Sequence, residues 1–512
     1  MRYCCTLFLL VLFSACRAPQ EVEIAAKSST PNIIFILADD MGWGDPQSYN
    51  PGSRIPTPYL DQLTAQGMRF TDAHTPSAVC TPTRYGLLTG RYAWRSPLQS
   101  GVLFGYDPPL IEQGRMTLAD LLRQNGYYTA VVGKWHLGLP WQMKDSAAHF
   151  AINRPVITRL AGRDEVELGQ PLGKGGPPEL GFDYSYVLPA SLDIAPYCYI
   201  ENGQPEAFPL DSVRAETRSP HYDKGFWRSG PASPGFDHRQ VLPTLTDKAV
   251  SFLKKHHERR NDQPFFLYFP LTSPHTPWLP TEKFRGTSKA GKYGDFVAMS
   301  DHSLGRIMSV LDTMGYTDNT LLIFSSDNGS HTDFIDSTYQ HRANAYWRGQ
   351  KADIHEGGHR VPFIARWPGQ IPAGSVSEQM ICLTDMMATI AEITGTEMPQ
   401  DVAEDSYNLL PALLDKNFEE PIRPHLVSHS LDGMFAIREG NWKLIKQQGS
   451  GGFTSPRRVD TPGGQLYDLR ADPAEQQNLY HQHPEIVARL KARLDNIRKR
   501  SSNIVLQNDK HP

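Results

Sequence analysis

Asn32 to Ala38 is an unbroken apolar run rich in isoleucine, with two aspartates directly behind it. A short run of this kind, closed by polar residues, predicts a strand buried on both faces. The pattern returns at Thr129 to Val132, at Phe265 to Leu271 and at Thr320 to Ser325. Between these stretches the apolar positions change to helical spacing. Leu60 and Leu63 mark a helix over Pro58 to Gln66, with Gly67 where a C-cap falls. Leu118 to Gln124 is a second helix, stopped at Gly126, and Val297, Leu304, Ile307 and Leu311 mark a third. Strands alternating with helices predict an α/β fold, a large mixed and mostly parallel sheet sandwiched by helices.

After about residue 415 the pattern changes. Met434 to Ile437 and Trp442 to Ile445 flank Glu439-Gly440-Asn441, a hairpin signal, and Val487 to Ile497 has the spacing of an amphipathic helix. A larger α/β domain over 31–415 is therefore expected to precede a smaller α+β domain over 416–512, built from an antiparallel sheet and a closing helix. Gly173 to Pro178 and Ser450 to Gly464 are rich in Gly and Pro and are predicted to be exposed loops.

The first sixteen residues read as a leader and 17–30 as a polar linker. Arg2 supplies a positive charge, and Leu7 to Phe13 is an apolar run too short to span a bilayer. Ser14-Ala15-Cys16 has the form of a bacterial lipoprotein cleavage box, although Phe13 stands where leucine is commoner and ordinary signal-peptidase cleavage stays open. The expectation is export to a bacterial cell envelope, with membrane contact only through a lipid on Cys16. The lone sequon, Asn328-Gly329-Ser330, falls inside the candidate site described next, which argues against a glycosylated secretory enzyme. Cys80, Cys198 and Cys382 lie beyond the leader, and an odd number in an exported chain leaves a thiol to explain. A net charge of −4 gives no general basic field for nucleic acid, so an anionic substrate must be held by a few local cations.

Candidate chemistry begins at the strand ends. Asp39 and Asp40 follow the first strand, and Asp327-Asn328 repeats the design after the strand ending at Ser326. Ligands of open α/β sheets bind at the carboxyl ends of the strands. Four hard oxygen donors from two such ends suit Ca²⁺ or Mg²⁺ better than zinc, provided the chain turns at Asp39-Asp40 so that both side chains face one ion. A solvated loop or a helix cap is the plain alternative. Cys80 sits in Cys80-Thr81-Pro82-Thr83-Arg84, among residues unlike those of a core. A soft thiolate matches a hard cation poorly, so an oxygen-bearing side chain would serve better at that position. Lys134, His136 and Lys351 each have structural readings: a surface lysine over Trp135, a satisfied core histidine, and part of a solvated basic face. Asp385 is explained by helix capping, and Gly357-Gly358 spoils a zinc-binding helix between His355 and His359.

Cys80-Thr81-Pro82-Thr83-Arg84 resembles the signature of the type I, formylglycine-dependent sulfatases of the alkaline phosphatase superfamily, in which Cys-x-Pro-x-Arg directs oxidation of the cysteine. Gly126-Tyr127-Tyr128-Thr129-Ala130 through Gly133-Lys134-Trp135-His136-Leu137-Gly138 resembles the family's second signature. The likeness continues through Ser273-Pro274-His275, Asp327-Asn328-Gly329, Lys351 with Glu356-Gly357-Gly358, and Leu466-Tyr467-Asp468-Leu469, covering roughly residues 32 to 480. The resemblance implies one Ca²⁺ per chain, held by Asp39, Asp40, Asp327, Asn328 and an oxygen of modified residue 80. It implies that Arg84 and Lys134 steady the formylglycine hydrate, that His136 is its base, and that His275 and Lys351 lie over the sulfate and assist the leaving alcohol. It further implies a separate formylglycine-generating enzyme as a maturation partner.

The chemistry suits that list. A sulfate ester has a poor leaving group and needs charge stabilisation on its oxygens and a proton for the departing alcohol. One hydroxyl of an aldehyde hydrate attacks sulfur to give a covalent sulfo-enzyme, and deprotonating the other expels sulfate. The substrate expected is a sulfated carbohydrate, with Ser191-Leu192-Asp193 through Glu201-Asn202-Gly203 pointing to 6-O-sulfated galactose or N-acetylgalactosamine. Tyr197, Tyr199, Phe226, Trp227, Trp278, Tyr346 and Trp347 are candidates for stacking on sugar rings, and Ser330 to Tyr346 for shaping substrate choice. Two other readings stand beside this one: a phosphatase or phosphonate monoester hydrolase of the same superfamily, and a non-catalytic glycan-binding relative.

Overall fold

A computed structural model describes residues 1, 30–144, 166–207, 211–216, 226–260, 262–416, 418 and 420–508. The leader, Cys16 and nearly all of the linker lie outside the described residues. Among the described residues no helix is long and apolar enough to cross a membrane.

A ten-stranded sheet carries the larger part of the molecule. Its middle is five parallel strands in the order Tyr184–Leu188, Tyr128–Lys134, Phe265–Pro274, Asn32–Asp39 and Thr320–Ser326. Phe363–Arg366 joins antiparallel beside Thr320–Ser326, so the sheet is mixed and mostly parallel, as the alternating pattern predicts. Asn32–Asp39 shows why its run is uniformly apolar: Ile33, Phe35 and Leu37 enter one core, while Ile34, Ile36 and Ala38 enter the other. Helices Pro58–Gln66, Val241–Arg260 and Gly291–Thr313 cover the second face; Cys80–Thr89, Leu118–Gln124 and Met386–Thr394 cover the first.

Two strands outrun their apolar cores. Tyr128–Lys134 is longer than Thr129 to Val132, and Phe265–Pro274 continues past Leu271. The residues added at their C-terminal ends, Gly133 and Lys134 on one and Thr272 to Pro274 on the other, are buried too, because they form the walls of the site described below. Gly67 closes its helix without the left-handed cap expected there, at φ −140°. Its role is close approach: a Cβ on Gly67 would stand 2.3 Å from the carbonyl oxygen of Ala365.

The smaller C-terminal domain is an antiparallel sheet, Leu426–His429, Phe435–Glu439, Trp442–Ile445 and Gln465–Asp468, packed on the helix Pro484–Asn508. Its hairpin is tighter than the three-residue link expected, since Glu439 pairs with Trp442 and leaves only Gly440-Asn441 in the turn. The stretch from Ser450 was expected to be an exposed loop. Its first residues are instead docked, with Asp353 accepting the backbone N–H groups of Phe453 and Thr454 at 2.8 and 3.1 Å. Asp385 caps as expected, but one turn earlier, through the Cys382 N–H at 2.8 Å. It sits in a 3-10 turn ahead of Met386–Thr394, and its carboxylate also holds buried Arg423 and the N–H group of Tyr407.

Candidate active site

All five parallel strands release a chemically active residue at the same edge. Asp39 and Asp40 end Asn32–Asp39, Lys134 ends its strand with His136 just beyond, His275 follows Pro274, and Asp327-Asn328 follows Ser326. Ser191 and Asp193 follow Leu188 on the fifth. The turn required for Asp39 and Asp40 to face one point is present, because Asp40 takes a left-handed φ of 70°. Its N–H donates to the Asp327 carboxylate at 3.1 Å, and the Asn328 amide donates to Asp40 at 2.7 Å.

Cys80 and Arg84 come from a helix that points into this edge. Cys80 is the first residue of Cys80–Thr89, Pro82 occupies the first turn where a missing N–H costs nothing, and Arg84 lies one turn on along the same face. Arg84 donates twice to Asp327, at 2.7 and 3.1 Å, and once to the Lys134 carbonyl at 2.9 Å. Lys134 Nζ bonds both oxygens of Asp39 at 3.0 and 2.8 Å, and Lys351 Nζ bonds Asp40 at 2.7 Å. Neither lysine is a surface residue: Lys134 is fully buried and Lys351 only 9% exposed.

The electrostatics follow from this packing. Burial alone would raise Asp39, but Lys134, His275, Arg84 and Lys351 hold its carboxyl below the ordinary range. Burial and the charge of Asp39 push Asp327 up to about 6 against Arg84 and Lys134. Burial raises the Cys80 thiol, partly offset by Lys134 and Lys351, so it stays protonated at neutral pH and is a weak nucleophile as it stands. Cys198 and Cys382 are also free and buried, pushed up to about 12 and 11, and both pack in apolar cores away from this edge.

The two histidines differ in which nitrogen is bare. His136 Nε2 meets the Leu103 carbonyl at 2.7 Å and must donate to it, which leaves Nδ1 as the lone-pair nitrogen, buried and without a partner. Burial, Lys134 and Arg84 hold the ring neutral, the state a base requires. His275 Nδ1 meets the Thr276 carbonyl at 2.6 Å, so Nε2 is the nitrogen that faces the site, 3.8 Å from Asp40.

Asn328 Oδ1 is likewise buried and has no hydrogen-bond partner. An orphaned oxygen beside three buried carboxylates is a donor set for a hard divalent cation. The residues present therefore fit the ion that the sequence implies.

Several supporting residues join the site; Asp193 and His341 fall in stretches singled out in the sequence for substrate choice, whereas Asp45 and Tyr293 carried no signal there. Asp45 accepts the Gly42 N–H at 2.7 Å, His341 Nε2 at 2.8 Å and the Tyr293 hydroxyl, clamping the turn that follows Asp40. Ser326 Oγ accepts the Met41 N–H at 2.9 Å and donates to the Asn328 carbonyl at 3.0 Å. Asp193, 3.9 Å from His275 Nδ1, is paired with Arg228 through one oxygen and leaves the other buried and unpartnered. Among the candidate stacking rings, Tyr197 and Trp278 are core residues, whereas Tyr346 is 52% exposed. His355 and His359 do not converge, the first facing Gln465 and the second His74 and Lys443.

The sulfatase family model matches residues 31–396, the sheet and all of the site, and a model described as the C-terminal part of N-sulphoglucosamine sulphohydrolase matches residues 347–500. A Bacteroides thetaiotaomicron protein named N-acetylgalactosamine-6-O-sulfatase is 32% identical over 96% of this chain and 98% of its own length. Human arylsulfatase A is 30% identical over 90% of this chain and 87% of its own. A solved structure from work on the metabolism of multiple glycosaminoglycans by Bacteroides thetaiotaomicron superposes with a TM-score of 0.78 at 31% identity, covering 92% of this chain and all of that one. A family match spanning the whole catalytic sheet, with relatives aligned nearly end to end, makes this chain a member of the sulfatases, the hydrolases of sulfuric esters.

Proposed function

We propose that the chain removes the 6-O-sulfate of a galactose-type sugar, N-acetylgalactosamine above all, after Cys80 has been oxidised to formylglycine by a separate maturation enzyme. The observation that carries the substrate class is the end-to-end similarity to a protein named for N-acetylgalactosamine-6-O-sulfate. The unpartnered oxygen of Asp193 beside His275 suits a sugar hydroxyl on the reacting residue.

In this reading Asp39, Asp40, Asp327 and Asn328 hold one Ca²⁺, which would draw negative charge from the sulfate oxygens. Lys134, Lys351 and Arg84 add fixed positive charge around the same group, in a site too dry to screen it. The geminal hydroxyls of hydrated residue 80 supply the nucleophile. His136, neutral with a bare Nδ1, takes the proton that frees the aldehyde for the next cycle. His275, in its cationic form with Nδ1–H held by the Thr276 carbonyl, gives the Nε2 proton to the departing sugar oxygen and is left neutral. The one-cation donor set and the cysteine motif favour sulfate over the more highly charged phosphate monoester. Export, with Cys16 as lipid acceptor, belongs to the same proposal.

The test is direct. Protein from its own host is digested with trypsin and the peptide Phe70 to Arg84 is weighed, while sulfate release is measured from N-acetylgalactosamine 6-sulfate and 4-sulfate. An aldehyde mass with turnover of the 6-sulfate is expected. An unmodified thiol in active enzyme would overturn the nucleophile, and preference for the 4-sulfate would overturn the substrate.

A further inference from the structure

The helix Val241–Arg260 carries two different faces. Leu242, Leu245, Ala249 and Leu253 pack into the core. Lys248, Phe252, Lys255 and Arg259 follow one another at spacings of four, three and four, so they form a single stripe in which Phe252 is buried against that core and the three cations face outward. That stripe lines a cavity of about 650 Å³, closed by Tyr128 and Tyr184 from the sheet and by Arg260.

The floor of the cavity is aromatic. Phe252 stacks on Tyr128 and on Tyr184, with ring planes 15° and 12° apart, and the Arg260 guanidinium lies 4.1 Å from the Tyr128 ring. Its rim is cationic. Lys248 is paired with Glu201 at 3.3 Å, but Lys255 and Arg259 make no ion pair among the described residues and are exposed. Basic residues in the last turn complement the helix dipole, which accounts for Arg259 and Arg260 in part. The dipole explains neither Lys248, three turns upstream, nor a cavity floored by stacked rings.

Tyr128 begins the strand that Lys134 ends, so this cavity stands about 20 Å from the catalytic edge, at the opposite end of the sheet. One chain cannot place a single sulfate in both.

We propose that this cavity is a second, non-catalytic binding site for a sulfated glycan chain, taking sugar rings over the aromatic floor and sulfates on Lys255, Arg259 and Arg260. The choice of ligand rests on the sulfated-sugar reading above, whereas the site itself rests on the cavity. Its effect would be to hold a long substrate at the enzyme between turnovers, raising the local concentration of ends.

The experiment compares the full-length protein with Lys255→Ala/Arg259→Ala/Arg260→Ala, changes to exposed side chains outside the catalytic edge. Binding of a sulfated galactosaminoglycan chain of ten or more sugars is measured in a Cys80→Ala background, and KM is measured for that chain and for the sulfated monosaccharide. Removal of the three cations is expected to weaken chain binding and raise its KM about tenfold, more at low salt, with the monosaccharide KM unchanged. Equal chain binding by both proteins would overturn the proposal. So would loss of binding to vesicles rich in anionic lipid with glycan binding intact, which would assign the patch to a membrane surface. Dextran sulfate binding that depends on the three residues, in a protein that does not hydrolyse the galactosaminoglycan, would support the second site while removing the proposed substrate.

Discussion

Among the described residues two buried groups of carboxylates and histidines have ligand atoms close enough to surround a metal ion: Asp39, Asp40 and His275 at the catalytic edge, and His74, Glu356 and His359 away from the strand ends. Their composition is nearly the same, and in both the carboxylates are paired with lysine or arginine; they differ in the polar atoms that stand beside them. In the second, Lys443 donates to His359 Nε2 at 3.1 Å, so His359 Nδ1 must donate to His74 Nδ1 at 3.0 Å, and His74 Nε2 to Asp72 at 2.8 Å. Glu356 takes Lys443 at 3.0 Å and Arg360 at 2.9 Å, and Arg438 closes on Asp72. Each ring nitrogen is used, so neither histidine keeps a lone pair for an ion. At the catalytic edge Asn328 Oδ1 and His136 Nδ1 are left bare. What separates a reactive cluster from a structural one is the unsatisfied atom, not the residue list.

Breaking the two clusters should therefore give different kinds of loss. The largest is Cys80→Ala, which removes the group proposed to attack: kcat should fall about 10⁵-fold or more with little change in Tm, as steady-state kinetics and thermal melting would show. A fall of only tenfold would mean that another group attacks.

Glu356→Gln takes one carboxylate from both Lys443 and Arg360, leaving each buried cation a single carboxylate partner, Glu475 or Asp72. The cost should be about 3–5 kcal/mol in denaturant unfolding, with kcat of the folded enzyme within a factor of about two. A large kcat loss without loss of stability would move this cluster into the catalytic machinery.

Acid should act on the structural cluster. Burial, and Arg360 beside it, hold His74 at about 4 although Glu356 and Asp72 favour its charged form. Its folded value lies below its unfolded one near 6.5, so the neutral ring stabilises the fold above about pH 6.5. That contribution, on the order of 3 kcal/mol, is lost as pH falls toward 4. Denaturant midpoints at pH 7 and 4.5 should drop more for the wild type than for His74→Asn, and equal drops would sink the assignment.

The smallest effect is the most selective. Ca²⁺ at about a hundred times its Kd should stabilise the fold by about 2.7 kcal/mol. Asp40→Asn should abolish that gain while Glu356→Gln keeps it, read as the shift in Tm with and without chelator.

The elements that carry the catalytic edge were legible because local physics dictates them. Asn32 to Ala38, Phe265 to Leu271 and Thr320 to Ser325 are apolar on both faces, and each ends where water or a ligand must begin. Cys80 and Arg84 were joined only by the resemblance of their motif, and it is the helix Cys80–Thr89 in the structure that sets them one turn apart on the same face. Asp45 was not legible, because nothing local marks it as the clamp on Asp40; His341 and Tyr293 reach it from 296 and 248 residues away. The docking of the Ser450 loop on Asp353 was hidden for the same reason, and so was the pairing of Asp385 with Arg423.

The sequence by itself determined the strand–helix alternation, the order of the motifs along the chain and the chemical character of each, because periodicity and residue type act over a few neighbours. Only the tertiary structure decided which polar atoms are left without partners. Whether Asn328 Oδ1, His136 Nδ1 or a ring nitrogen of His359 is free depends on groups brought together from distant parts of the chain, and burial makes that difference count.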